Sequence, residues 1–175
     1  MTRLMRFFTR RVVPCMLPAA LAAMAVPARA QSPGAPPIDG IRCDRAEGAV
    51  FHIHQHLAIY QRGKSVTVPA DVGQPVLAQC LYWLHTHTPD GIIHVESPSF
   101  RTFTLGNFFD VWGQPLSATA AGPARAAKGR IRVYVGGVPF KGDARKIELA
   151  QHTDITIEAG PPYRKPALFN DWRGQ

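Results

Sequence analysis

Histidine is the residue type in this sequence whose number and spacing point most clearly to chemistry. Six of the seven histidines lie between residues 52 and 94, in the segments FHIHQHL and YWLHTHTPDGIIHVES. With one nearby carboxylate, the candidate ligands are His52, His54, His56, His85, His87, His94 and Glu96. Alternate residues of a strand share a face, so two imidazoles in H-x-H can lean toward one ion about 2.0 to 2.1 Å from each nitrogen. The pattern therefore predicts metal ligands on strands.

The turn TPDG decides whether His94 joins the pair formed by His85 and His87. With a two- or four-residue loop, His85 lies opposite His94, and all three imidazoles share a face with Glu96. A three-residue loop with Gly91 as a bulge sends His94 to the other face. We favour the first register, in which Glu96 is either a ligand or a partner that orients an imidazole.

The segment FHIHQHL cannot supply three ligands to one ion without bending the strand. His52 and His56 are four residues apart, which is about 13 Å along an extended strand. We expect one or two of these histidines to join the hairpin site, or the segment to serve a second site. His54, at the centre, is the best candidate among them.

The methionines and cysteines restrict which metal ion the predicted site would bind. All four methionines lie at or before position 24, in a segment that we expect to be removed, so the mature chain offers no thioether. We expect Cys43 and Cys80 to form a disulfide that closes a loop of about 37 residues, although two thiolate ligands flanking the histidines are the alternative. Nitrogen and oxygen ligands favour Cu(II) or Zn(II) over Cu(I).

Other interpretations of the histidines stay open. An open three-histidine site could serve a metalloenzyme of hydratase or oxygenase type, in which Glu96 or Asp90 moves protons. Without metal, the histidines could form a solvated strand face, a neutral core network or a pH-responsive patch on a β module that binds another protein. His152, in AQHTD, is expected to lie on a surface turn.

The rest of the pattern predicts a mainly β protein. Alternating residues predict strands over 50–60 and 81–87, and further strands over 92–96, in FRTFTL, in the Gly-Gly hairpin RIRVYVGGVPF, in KIEL and in DITIEAG. Helical spacing predicts one helix over 105–112 with Thr104 as its N-cap, and ATAAGPARAAKG is predicted to be a loop. About eight short strands and one helix indicate a β-rich α+β fold, an antiparallel sandwich or barrel-like sheet.

The first 30 residues have the composition of a secretory signal peptide cleaved near Ala30. Arginines 10 and 11 leave both the general and the twin-arginine export routes open. Removing the five arginines of this segment from the 20 basic residues leaves 15 against 12 acidic residues, so the net charge falls from +8 to +3. The basic charge is thus no argument for a nucleic-acid partner, and the apolar run is too short for a stable membrane anchor.

The predicted organisation is a signal peptide (1–30), a flexible leader (31–40), a single β-rich domain (41–160) and an irregular tail (161–175). We expect a periplasmic or secreted protein whose partner is a metal ion. One domain's length is enough to bury its own core.

Four segments, FHIHQHLAIY, VPADVG, CLYWLHTHTPDGIIHVES and FTLGNFFDVWGQPL, resemble a family of exported bacterial and archaeal proteins to which no activity is assigned. The resemblance covers most of residues 50 to 116 and implies that this region is one unit. The H-x-H arrangement is also similar to the zinc site of α-type carbonic anhydrases and the metal site of cupins, but the fuller patterns of both families are missing. These are likenesses of ligand geometry only.

Overall fold

This computed structural model describes residues 34–172 and Gly174. Strands make up most of the regular structure in these residues. The predicted signal peptide and residues 31–33 lie outside them. The eleven strands are Cys43–Asp44 (β1), Phe51–Gln61 (β2), Lys64–Val66 (β3), Leu81–Tyr82 (β4), Leu84–His85 (β5), Ile92–Ser97 (β6), Ala120–Ala121 (β7), Ala124–Arg125 (β8), Arg132–Val135 (β9), Val138–Phe140 (β10) and Thr153–Ala159 (β11). One α-helix, α1, spans Leu105–Trp112, and 3-10 turns lie at Val76–Ala78 and Ala144–Lys146. The mainly β prediction with one helix is confirmed.

The main sheet has seven strands, and β2 lies at its centre. The strand order is β10-β9-β11-β2-β6-β5, with β3 also paired to β2. Every pair is antiparallel except β11 with β2, which is parallel. The predicted antiparallel pairing is thus confirmed for all of these pairs but one. The parallel pair was not predicted, because about 90 residues separate the two strands and no local pattern sets their relative direction. The sheet does not close into a barrel within the described residues.

Helix α1 has both of its predicted ends. The Thr104 side chain accepts a hydrogen bond from the Asn107 backbone, and the Asn107 side chain accepts one from the Thr104 backbone, which makes a capping box. Gly113, at φ +67°, ends the helix. The helix buries Phe108 and Phe109 completely.

Three local predictions are corrected. The segment 81–87 is not one strand, because the pairing breaks at Trp83 and β5 ends at His85. KIEL and FRTFTL form only an isolated bridge between Thr104 and Glu148. The alanine-rich segment predicted to be a loop contains the β7–β8 hairpin instead, whose small side chains pack with almost no exposure.

The two faces of β2 differ in character. Leu57 and Ile59, each 1% exposed, belong to the hydrophobic core. His52, His54 and His56 have the opposite parity and so project from the other face.

The predicted disulfide is present, because Cys43 and Cys80 are bonded and join β1 to the segment that precedes β4. In the described part of the chain, no helix combines the length and apolarity that crossing a membrane requires.

Replacing Gly91 with alanine is expected to lower the free energy of unfolding by about 3 kcal/mol, because a Cβ would add a clash to an unfavourable backbone conformation. Gly91 has φ +84°, and its Cβ would lie 2.5 Å from the Leu57 carbonyl oxygen. Gly136→Ala is the matched control, since φ is +56° there and nothing lies within 4 Å of the added atom. Urea unfolding should show about 1 kcal/mol for the control. Equal losses for the two variants would contradict the predicted clash.

Candidate metal centre

Three neighbouring strands bring five of the six clustered histidines together. In the register of β2 and β6, His54 lies opposite His94 and His52 lies opposite Glu96. In the register of β5 and β6, His85 also lies opposite His94, as the favoured hairpin register requires. Directly opposite residues share a face, with their Cβ atoms about 4.5 to 5.5 Å apart. His94 is therefore the middle residue of a row of imidazoles that crosses three strands.

The H-x-H segments form two pairs of converging nitrogens. The Nε2 atoms of His52 and His54 are 3.1 Å apart, and those of His85 and His87 are 3.2 Å apart. Two nitrogens about 2.05 Å from one tetrahedral ion are about 3.3 Å apart, so each pair is spaced like the ligands of one metal ion. A hydrogen bond between two neutral imidazoles has the same length, and the pairs alone do not distinguish the two cases.

Glu96 lies between the two pairs. Its Oε1 is 3.2 Å from His52 Nε2, 3.9 Å from His85 Nε2 and 3.4 Å from His94 Nδ1. The described residues contain two overlapping sets of potential ligands, and within each set the ligand atoms lie within 4.8 Å of one another. One set holds His52 and His54, the other holds His85 and His87, and both contain His94 and Glu96.

Several polar atoms of the cluster are buried without a protein hydrogen-bond partner. They are His54 Nδ1, His94 Nδ1 and Glu96 Oε2, half of the six such side-chain atoms in the described part of the chain. His54 and His94 are each 7% exposed and Glu96 is 3% exposed. Buried polar groups are normally paired, so these three atoms are expected to have a partner that the described residues do not supply.

His85 is oriented as a ligand. Its Nδ1 lies 2.9 Å from the Tyr82 carbonyl oxygen, which can only accept a hydrogen bond. In the neutral ring Nδ1 therefore carries the proton, and Nε2 presents its lone pair to the cluster. A second hydrogen bond that fixes the tautomer in this way is typical of histidines that bind metals.

Two of the buried imidazoles, those of His54 and His85, are held in the neutral form. Burial lowers the pKa of His54 to about 4, assisted by the neighbouring His94 and His52. Burial likewise lowers the pKa of His85 to about 4, although its bond to Tyr82 opposes the change. Burial alone would raise the pKa of Glu96, but the adjacent imidazoles outweigh it and hold the pKa below its usual range. Neutral imidazoles around a carboxylate are the forms that bind a metal ion.

The metal-free protein should therefore lose stability in acid. Between pH 6.5, the ordinary pKa of histidine, and about pH 4, the unfolded chain binds protons that His54 and His85 resist. Stability then falls as the pH falls through this window, and ionised Glu96 extends the loss below its ordinary pKa of 4.5. Urea unfolding of the metal-free protein at pH 7.5, 5.5 and 4.5 measures this loss of stability. A urea midpoint that does not change with pH would contradict the prediction. His54→Gln should flatten the dependence.

His56 does not join the cluster, although it shares a strand face with His52 and His54. Its Nδ1 lies 2.9 Å from Asp154 Oδ1, and its ring stacks on Phe169 with centroids 3.8 Å apart. His56 lies beyond the row of His94, beside β11, where Asp154 is directly opposite it. As expected from the distance between them along the strand, His56 and His52 thus do not reach the same site.

Two other candidates also lie elsewhere. His152 is exposed on a turn, as expected, and its ring stacks on Trp172. Asp90, considered as a proton carrier, accepts a hydrogen bond from the Ile92 backbone inside the turn.

Two residues near the cluster were missed by the sequence argument. Glu47 Oε1 lies 3.6 Å from His87 Nε2, and Gln151 Oε1 accepts a hydrogen bond from the His54 backbone. No local pattern signals these contacts, because Glu47 is far in the sequence from His87 and Gln151 is 97 residues from His54. The irregular segments that precede β2 and β11 place them there.

The cluster opens to solvent through a cleft of about 420 Å³, lined by His52, His54, His87, His94, Glu96, Gln151 and Gly174. His52 and His87 have side chains 50% and 41% exposed, whereas His85 is fully buried. Each H-x-H pair thus has one exposed imidazole and one buried one. The cluster can hold a metal ion, and an ion can reach it without unfolding the sheet.

Comparisons with known proteins add no assignment to this geometry. The sequence matches no family model, and no curated protein or solved structure is significantly similar to it.

Proposed function

We propose that this is an exported protein that binds Cu(II) or Zn(II) and acts in metal carriage, buffering or sensing. The observation that carries the proposal is the buried carboxylate of Glu96 between two H-x-H pairs, with one oxygen, Oε2, that has no hydrogen-bond partner among the described residues. Hydrogen bonds within the histidine pairs would satisfy their Nε2 atoms but would leave that oxygen without a partner. A metal ion would satisfy the oxygen, because carboxylate and imidazole are both good ligands for these ions.

Accessibility supports exchange rather than permanent storage. The cleft above the cluster and the half-exposed rings of His52 and His87 give an ion a direct route in and out. Export is supported by the disulfide between Cys43 and Cys80, since disulfides persist in oxidising compartments. The amino-terminal pattern described above supports the same localisation.

Metal stoichiometry tests the proposal. Chelator-stripped protein is incubated with Cu(II) and Zn(II), desalted and analysed by elemental analysis, and we expect at least one equivalent of metal. His56→Gln, which changes a histidine of the same strand outside the cluster, should keep the wild-type content. Less than about a tenth of an equivalent in folded wild-type protein would overturn the proposal.

A metalloenzyme is the second candidate, and the cleft is the observation that favours it. An ion held by histidines at the bottom of a 420 Å³ cleft would keep positions open for water or a small substrate. In that case Glu96, which is buried among the imidazoles, would be the group that takes up or releases a proton. A rate of CO2 hydration or ester hydrolysis that requires zinc and disappears in His85→Gln, with the fold intact, would favour this candidate over carriage.

A further inference from the structure

We infer that the cluster is a two-metal centre, in which each H-x-H pair holds one ion and the Glu96 carboxylate lies between the two ions. The inference rests on the proposed metal binding and deepens it. It concerns the number of ions and their separation, which the proposed function leaves open.

The distances between the potential ligand atoms limit how many of them one ion can bind. Ligands on opposite sides of one ion are at most about 4.2 Å apart, twice the metal–nitrogen distance. Each set of potential ligands falls within 4.8 Å, but among the described residues no set of that size contains both H-x-H pairs. One ion therefore cannot take both pairs in this arrangement. Within each pair, by contrast, the Nε2 atoms are 3.1 or 3.2 Å apart and already suit one ion.

The supply of ligand atoms agrees with two ions. His94 belongs to both sets but gives one nitrogen to one ion, so the five imidazoles supply five nitrogens. The Glu96 carboxylate adds two oxygens. Seven donor atoms are too many for one four-coordinate ion, whereas two such ions can share them and keep one position for solvent.

The position of Glu96 suits a bridge. Its Oε1 lies near a nitrogen of each pair, 3.2 Å from His52 and 3.9 Å from His85. Its Oε2 is buried without a hydrogen-bond partner among the described residues. A carboxylate that bridges two ions takes one position on each and holds the ions about 3.5 to 4 Å apart, the usual spacing of two-metal sites.

Charge makes the two binding steps unequal. The second divalent ion must bind close to the first, and Glu96 is the only carboxylate buried in the described cluster. Repulsion between the ions, reduced by one shared negative charge, weakens the second step. A titration should show a tight equivalent followed by a weaker one.

Titration of the metal-stripped protein with Cu(II), followed by electron paramagnetic resonance and by equilibrium dialysis, tests the inference. We expect two bound equivalents. At one equivalent the integrated intensity of the spectrum should correspond to about one spin per chain. At two equivalents the spectrum should show strong dipolar broadening or lost intensity, because ions about 4 Å apart interact. Two equivalents with two independent, unbroadened signals would overturn the shared centre.

The other outcomes are equally decisive. One equivalent would overturn the two-metal inference and leave the proposed function standing, whereas no bound copper would overturn both. Glu96→Gln should weaken the second equivalent by about tenfold or more and remove the spin interaction, and His52→Gln should leave one equivalent. His56→Gln should keep two interacting ions, and circular dichroism of each variant checks that the sheet has formed.

Discussion

Replacing His94 with glutamine is expected to weaken Cu(II) or Zn(II) binding by about 100-fold or more, the largest effect of any single change in the cluster. His94 faces His54 on one neighbouring strand and His85 on the other, and it belongs to both sets of potential ligands. Glutamine fills similar space but lacks the imidazole nitrogen that a transition metal prefers. Isothermal titration calorimetry at pH 7.5, with metal-stripped protein, measures the change.

His56→Gln is the matched control for this variant. It makes the same chemical change two residues from His54, at a side chain bonded to Asp154 rather than to the cluster. We expect the metal affinity of His56→Gln to stay within about threefold of the wild type, since His56 belongs to neither set of potential ligands. An equal loss of affinity in the two variants would contradict the assignment of the cluster.

Zinc should raise the unfolding temperature by about 10 °C or more when its free concentration exceeds the dissociation constant about 1,000-fold. A ligand that binds only the folded state then stabilises it by about 4.1 kcal/mol, and each kcal/mol is about 3 °C or more for a domain of this size. The ligands come from β2, β5 and β6, so an ion held between them links strands that must otherwise separate on unfolding. Differential scanning fluorimetry measures the shift, and excess EDTA should reverse it.

Magnesium provides the control for stabilisation. It prefers oxygen ligands in octahedral geometry and should leave the melting temperature unchanged. His94→Gln should lose most of the zinc effect. If zinc leaves the wild-type melting temperature unchanged, or stabilises His94→Gln as strongly, the ion does not bind where the strands meet.

Local patterns predicted those parts of the fold that depend on short stretches of sequence. The alternation of residues 50–60 predicted β2, observed at Phe51–Gln61, to within one residue at each end, and the spacing of bulky side chains after Thr104 predicted α1. The TPDG turn permitted two registers, and the structure has the one that we favoured because it gathers the histidines, in which His85 lies opposite His94. Each of these features is determined by residues within about ten positions of one another.

The features that the sequence did not predict depend on residues that are far apart in the chain. Nothing near His54 states that β2 pairs with β6, which is the pairing that adds His52 and His54 to the hairpin histidines. Likewise nothing near His56 states that the parallel neighbour β11 presents Asp154 beside it. The pattern of histidines could therefore predict which imidazoles pair within a segment, but not how the two segments meet at Glu96.

Anomalous diffraction tests the central claim most directly. Crystals of metal-stripped protein, grown with one to two equivalents of zinc or copper, are measured at the absorption edge of the metal. The proposed centre predicts a strong peak about 2.0 to 2.1 Å from the Nε2 atoms of an H-x-H pair and close to a carboxylate oxygen of Glu96. A map with no peak among His54, His85 and His94, or with metal only at sites such as His152, would contradict it.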